Sequence, residues 1–364
     1  MTGERRNQLN RIVIKGYKSI KECDLELKNI NVLIGANGAG KSNFISVFEM
    51  LGRVLARELS LFVQRKGINP LLYNGKEVTD NIFAEFDYGS FIYSFDLEWS
   101  DQDTLYFRDE KLLVDGKNII VDASNYNESQ AIDSIRKARV QAQIPQDILI
   151  PNWRVYQFHN TSPSSRIKSE NDIANCVNLI SDARNLAAFL YRLKQVFPKE
   201  YSNILRAVQM VAPFLDDFAL EPKELNEEQI ILKWRKKGCE DVFNAAQFSD
   251  GTLRFICLAT LLLQPTELQP STIIIDEPEL GLHPFAITIL AEMVRKAAFS
   301  KQIILATQSV ELLDQFDVSD VIVVDHDEGG SNFKRLDEEQ LILWLDNDYT
   351  LGELWNKNIF GGRP

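Results

Sequence analysis

The sequence predicts an α/β protein: a mostly parallel, doubly wound sheet joined by an antiparallel β subdomain and a helical lid insertion. Three observations predict it. An apolar stretch at residues 30–34 runs into a glycine-rich turn and then a helix-period segment. Residues 82–121 alternate large apolar side chains with mostly polar ones, as half-buried antiparallel strands do. From Thr272 onward, short apolar runs alternate with helix-period segments in the order β-α-β-α-β.

Residues 9–15 hold three β-branched side chains, and Cys23, Leu25 and Leu27 alternate with Asp24, Glu26 and Lys28 at the period of a strand. Residues 30–34 are apolar apart from Asn31, as in a strand covered on both faces. After the turn at 35–40, Phe44, Ile45, Phe48 and Leu51 recur at helical spacing. Phe91, Tyr93, Phe95, Leu97 and Trp99 then mark a strand, and Asp115-Gly116 reads as a hairpin turn within an antiparallel meander. Residues 153–158 form another expected strand, followed by a polar loop at 161–165 with one proline. Residues 169–211 switch to helical spacing; Leu186, Ala187, Leu190, Leu193 and Val196 share one face, behind Ser181 or Asp182 as the cap, and Pro213 ends the block. A strand at 230–234, a turn near Gly238 and an apolar helix at 252–263 lead into the final alternation. Its strands are expected at 272–276, 302–307 and 321–325, and its helices at 284–299 and 309–316.

Composition narrows the function classes. The 364 residues carry 40 Lys and Arg against 52 Asp and Glu, a net charge of −12, with 45% hydrophobic and 25% charged residues. That is a globular composition, long enough for a large core. No apolar run approaches the roughly 20 residues of a membrane helix, and residues 1–10 are polar, so neither a membrane span nor a secretion leader is expected. Cys23, Cys176, Cys239 and Cys257 lie far apart, which predicts no disulfide or zinc framework and a reduced, cytoplasmic setting. The acidic balance argues against a surface coated for nucleic acid and leaves room for one local basic groove.

Three motifs carry chemistry. Gly35-Ala36-Asn37-Gly38-Ala39-Gly40-Lys41-Ser42 matches G-x-x-x-x-G-K-[ST] between a strand and a helix. Glycines let backbone N–H groups wrap a phosphate chain, and the helix N-terminus adds positive potential. Asn37, Gly38, Ala39, Gly40, Lys41 and Ser42 are the expected phosphate-binding residues, with Lys41 reaching the terminal phosphates and Ser42 holding Mg²⁺. The apolar strand 272–276 ends in Asp276-Glu277; Asp276 is a candidate Mg²⁺ ligand, and Glu277 a candidate base for the attacking water. Ser249-Asp250-Gly251 precedes an apolar helix and on its own reads as an N-cap.

This ordered set resembles the P-loop NTPase heads of ABC-type ATPases, within them the RecF-like and structural-maintenance-of-chromosomes branch. Ile14-Lys15-Gly16-Tyr17-Lys18-Ser19-Ile20 looks like that branch's first hairpin. Glu277-Pro278-Glu279-Leu280-Gly281-Leu282-His283-Pro284 resembles the Walker B and D-loop run of small bacterial ATPases related to OLD-family ATPase domains, and Leu351-Gly352-Glu353-Leu354-Trp355 extends the likeness. The resemblance implies ATP and Mg²⁺ as cofactors and a homodimer closed on ATP; slow hydrolysis is expected from the glutamine at 308, where this sequence departs from the family. In that dimer Ser249, Asp250 and Gly251 would act in trans, and Glu279 and His283 would sit in the D-loop. Gln308 stands where such heads usually carry a switch histidine; it can hydrogen-bond but cannot take a proton. Gln157 is the candidate Q-loop residue, with His159 and Asn160 beside it as loop polar groups. A local structural role for His283 is the other reading.

The resemblance divides the chain into a composite ATPase core (1–60 and 228–340), an antiparallel β subdomain (61–160), a helical lid (161–227) and a C-terminal tail (341–364). Lys41 and Ser249 are 208 residues apart (249 minus 41), which the meander and helical block fill, so neither coiled-coil arms nor a transporter subunit is expected. The 39 residues after Asp325 (364 minus 325) are too few for an appended nuclease domain. Three readings stay open: an ATPase acting on DNA or a DNA-associated protein, a DNA clamp timed by hydrolysis, and a regulatory subunit of a bacterial defence system controlling a separately encoded effector. Arg136, Lys137 and Arg139, and Arg235, Lys236 and Lys237, are the candidate DNA contacts; either cluster also reads as a solvated face.

Overall fold

A computed structural model describes residues 8–114, 116–119, 126–140, 152–162 and 164–362. Residues 1–7 of the polar N-terminus, Asp115 of the expected turn, Val121 at the end of the expected meander, and Pro163 lie outside the described residues. The chain divides into two compact units, residues 1–153 with 317–364, and residues 154–316.

In the first unit, β1 (Arg11–Tyr17), β2 (Ile20–Glu26) and β3 (Ile30–Ile34) precede α1 (Lys41–Leu55) and α2 (Leu59–Lys66). Then come β4 (Asn81–Asp87), β5 (Phe91–Trp99), β6 (Leu105–Val114), β7 (Lys117–Ile119) and α3 (Ala131–Val140). The order β2-β1-β4-β5-β6-β7 makes one antiparallel sheet. The meander is therefore present, and β1 and β2 extend it through the β1–β4 pairing. On β4 every second residue is buried (Ile82, Ala84, Phe86), as the alternation requires. A chain of rings seats α1 on this sheet: Phe48 on Phe86 at 6.3 Å, Phe86 on Phe95 at 6.3 Å, and Phe95 on Phe107 at 6.4 Å. Each such buried ring contributes about 1.5–3 kcal/mol, enough to fix the helix that follows the glycine turn.

The second unit takes in β8 (Trp153–Tyr156) from Arg154 on and continues through β9 (Asn171–Asp172), α4 (Leu186–Val196), α5 (Pro198–Val211), β10 (Leu215–Ala219), β11 (Gln229–Ile230), β12 (Lys233–Lys236) and β13 (Val242–Asn244). It ends with α6 (Asp250–Leu263), β14 (Thr272–Asp276), α7 (Pro284–Ala298), β15 (Gln302–Thr307) and α8 (Val310–Leu313). β14 and β15 are parallel, in register from Thr272 with Gln302 to Asp276 with Ala306, and β8 flanks β14. Both strands are buried throughout, which is why they read as unbroken apolar runs. α5 packs on α6 and α6 on α7. Strands β10, β12 and β13 form a small antiparallel sheet around Trp234, which stacks on Phe243 at 4.8 Å and Phe248 at 4.7 Å.

The first unit closes with β16 (Val321–Asp327), β17 (Gly330–Arg335), α9 (Glu338–Leu345) and α10 (Leu351–Asn356); β16 pairs parallel with β3 and antiparallel with β17.

Four expectations change. Residues 169–185 are turns around β9, not helix, and α4 starts after Asn185 rather than behind Ser181 or Asp182. The Asn185 side chain is spent on that turn, accepting from Ile180 N–H and donating to the Asn175 and Asn178 carbonyls. The strand expected at 230–234 is split between β11 and β12, and the helix expected at 309–316 is the single turn of α8. The strand at 153–158 stops at Tyr156. The four cysteines are free, and among the described residues no helix is long and apolar enough to cross a membrane.

Candidate active site

In the first unit, buried β3 delivers the chain to the glycine turn, and α1 starts directly at Lys41 with Gly40 as its N-cap. Gly40 has φ 118°, and a Cβ there would fall 2.1 Å from Ser331 Oγ, so only glycine fits. Asn37 and Gly38 are exposed at the tip, Ala39 is buried, and Ser42 is exposed in the first turn of α1. Lys41 is 6% exposed and folds back across the turn; its Nζ donates to the Gly35 carbonyl at 2.6 Å and the Ala36 carbonyl at 2.9 Å. A cation held among backbone groups at a helix N-terminus suits a phosphate chain.

The turn is gripped from the hairpins of its own unit. Asn43 Nδ2 and Ser331 Oγ each donate to Ser19 Oγ at 2.7 Å. Tyr17 Oη and Lys18 Nζ meet Ser46 Oγ at 3.1 and 2.8 Å. The hairpin 14–20 therefore braces the first turns of α1.

In the second unit, β14 ends at Asp276, 7% exposed, and the next residue, Glu277, takes φ 46°. A non-glycine residue with positive φ is strained by about 1 kcal/mol or more and marks sites where position matters. Its backbone N–H is fixed by the Ala306 carbonyl at 2.8 Å, and its Oε1 accepts from Gln308 Nε2 at 2.8 Å. Gln308 is aimed by Glu279, whose Oε1 accepts from Thr307 Oγ1 at 2.6 Å and Gln308 N–H at 3.3 Å. The chain Glu279, Gln308, Glu277 joins two segments about thirty residues apart.

Gln157 Nε2 lies 3.4 Å from Asp276 Oδ2, and His159 Nε2 lies 2.9 Å from the Asp276 carbonyl oxygen. The structure thus brings Gln157 to the Asp276 carboxylate, while Asn160 is occupied in its own loop, accepting from Ser162. Among the described residues no cluster of three or more His, Cys, Asp or Glu side chains is arranged for a metal. In the second unit Asp276 offers a buried carboxylate, and in the first Ser42 offers an exposed hydroxyl; each is a donor type that Mg²⁺ takes when phosphate oxygens and water complete its shell.

Ser249 caps α6, its Oγ accepting from Thr252 N–H at 3.1 Å, and both Ser249 and Asp250 are exposed. A Cβ on Gly251 would fall 2.2 Å from the Gly281 carbonyl, so the turn at 249–251 and the loop at 279–283 are pressed together. Arg254 ties them further, its Nη1 donating to the Leu280 carbonyl at 2.9 Å and its Nη2 to the His159 carbonyl at 3.0 Å. His283 Nδ1 accepts from Phe285 N–H at 3.3 Å and caps α7, a local structural role. The sequence reading missed Arg254 and Thr307. Arg254 left a signal: it is the one cation on an otherwise apolar helix.

Burial pushes the Glu279 carboxyl above its ordinary value of 4.5; the Thr307 and backbone bonds pull it down, and the Glu277 charge pushes it up. A carboxyl raised on folding binds more protons in the native state. Its contribution is present at low pH and is lost as pH rises from 4.5 through the folded value. Glu279→Gln keeps an oxygen for both donors and carries no charge. Wild type is therefore expected to lose melting temperature relative to Glu279→Gln as pH rises from 4.5 toward neutrality. Thermal melts across that pH range check this; parallel pH dependences would contradict it.

The chain aligns with a solved Smc head bound to the C-winged helix domain of ScpA at TM-score 0.58 and 17% identity, covering 92% of this chain and 99% of that one. It aligns with an Smc head domain with an extended coiled coil, bound to the C-terminal domain of ScpA and derived from Pyrococcus furiosus, at TM-score 0.58 and 15% identity, covering 93% and 99%. At these identities the likeness shows the fold, an α/β P-loop ATPase head. No curated protein matches the sequence. A family model described as "AAA domain, putative AbiEii toxin, Type IV TA system" matches residues 30–314. The chain belongs to this AAA-domain family and has the fold of an ABC-type ATPase head related to those of Smc.

Proposed function

We propose that the protein binds ATP with Mg²⁺ and hydrolyses it slowly, dimerises on the nucleotide, and acts on DNA or on a DNA-associated partner. The observation that carries the reading is the strained Glu277 carboxylate held 2.8 Å from the Gln308 amide, in a chain that also bears a full phosphate loop. In this reading Lys41 and the backbone of residues 37–42 grip the phosphates, and Asp276 and Ser42 serve Mg²⁺, which neutralises phosphate charge. Glu277 takes the proton of the attacking water. Gln308 orients Glu277 without exchanging protons, which is why slow turnover is expected. Exposed Ser249 and Asp250, with Gly251, present a capped helix N-terminus to the second copy's nucleotide.

Arg235 pairs with Glu221 at 2.9 Å and Arg136 lies 3.7 Å from Asp133, whereas Lys137, Lys236 and Lys237 are exposed and make no ion pair among the described residues. The Arg139 side chain lies outside what is described. The family's description names a type IV toxin–antitoxin system, which favours a second reading: a regulatory ATPase subunit controlling a separately encoded effector. Phosphate release with and without duplex DNA at fixed salt separates the two. Stimulation by DNA supports the first reading. Activity indifferent to DNA but raised by the neighbouring gene product supports the second and overturns the first.

A further inference from the structure

The Leu351–Asn356 helix and the glycines after it lie against the phosphate loop of their own unit. α10 is set by a capping box between Thr350 and Glu353 and seated by buried Leu351, Leu354 and Trp355. The chain then turns through Gly361 and Gly362, at φ 84° and 85°. The Gly362 carbonyl accepts from Ala36 N–H at 2.8 Å. That N–H belongs to the same peptide unit whose oxygen, on Gly35, accepts from Lys41 Nζ at 2.6 Å. One peptide plane is thus held by the tail at its nitrogen and by the lysine at its oxygen.

A peptide plane is rigid, so fixing the direction of its N–H fixes the direction of its C=O. If the Gly362 carbonyl withdrew, the plane could rotate and carry the Gly35 oxygen away from Lys41. The position is built for contact. A Cβ at 362 would stand 2.9 Å from Val323 Cγ1 and 3.3 Å from Trp355 Nε1, on a backbone that L side chains rarely adopt. Val324 presses the loop from the same side, its carbonyl oxygen 2.2 Å from where a Cβ on Gly35 would project.

We propose that the C-terminal segment 351–362 is a positioning element for Lys41, orienting the Gly35–Ala36 peptide so that the grip on phosphate depends on the tail being docked. This rests on the nucleotide-binding reading of the loop, and it makes the tail a place where a partner could raise or lower nucleotide affinity.

Gly362→Val in the full chain tests it with two readouts, titration with a fluorescent ATP analogue and hydrogen exchange of the segment containing residues 35–40. The expected result is affinity weaker by about tenfold, the worth of one net hydrogen bond, and faster exchange at 35–40 accompanying any fall in melting temperature. Unchanged affinity and exchange would overturn the proposal, as would a lowered melt with no local loosening at 35–40. If wild type binds no nucleotide, the nucleotide reading fails by itself and exchange alone decides the tail's role. If Gly362→Val does not fold, the smaller Gly362→Ala is read in the same two ways.

Discussion

Glu277→Gln is expected to lower phosphate release by at least about a hundredfold while leaving MgATP bound, because a general base contributes roughly 10²–10⁴ to rate. The substitution is nearly isosteric. The amide oxygen can still accept from Gln308 Nε2, now 2.8 Å from Glu277 Oε1, and the Ala306 carbonyl still fixes the backbone at φ 46°. Only the ability to take a proton is lost. If hydrolysis is what dismantles an ATP-closed dimer, the variant accumulates it, and light scattering with MgATP should show twice the mass seen without nucleotide. A Glu277→Gln chain that binds MgATP yet stays monomeric would contradict the dimer reading and leave the carboxylate's role to the rate measurement.

Lys41→Ala is expected to weaken ATP binding by roughly 10–150-fold, since hydrogen bonds to charged groups contribute about 1.5–3 kcal/mol. The loss has a second source. The buried Gly35 carbonyl loses its 2.6 Å donor, and the Ala36 carbonyl its 2.9 Å donor, so the loop loses internal support along with the cation. Titration with a fluorescent nucleotide measures this directly, and affinity equal to wild type would remove Lys41 from the phosphate site. ADP affinity should fall with ATP affinity, because the lysine addresses the phosphates and not the base.

Much of the fold was legible where local chemistry and burial agree. β3, β14 and β15 were expected at the residues where they occur, because strands buried on both faces are unbroken apolar runs between clear turns. The glycine turn between β3 and α1 was legible because strand, glycines and helix are contiguous. What was not legible depends on pairing across long separations. The β1–β4 ladder joins residues some seventy positions apart, and no local pattern says that the first hairpin extends the meander. Residues 169–185 have a composition that tolerates a helix, yet Asp172 and Asn185 turn their side chains onto nearby backbone and hold loops instead.

The candidate site divides the same way. Asp276 and Glu277 stood out as acids at the end of a buried strand, and Gln308 as a substitute at a known position of the resembled family. Gln308 is held by Glu279, which also accepts from Thr307, and the turn at 249–251 is tied to Leu280 and His159 by Arg254; these partners lie 26 to 95 residues apart in sequence. Such contacts leave only faint traces: a lone arginine on an apolar helix, and a threonine that continues a strand. His283, read either as a D-loop residue or as a local structural group, caps α7 through its Nδ1.

The most direct test of the account is steady-state phosphate release by the purified wild-type chain on MgATP, with Glu277→Gln as the blank. The account predicts a slow rate that stands clearly above the blank and saturates with ATP. A wild-type rate equal to that of Glu277→Gln, at ATP concentrations shown by titration to fill the site, would contradict it: the chain would then bind nucleotide without hydrolysing it.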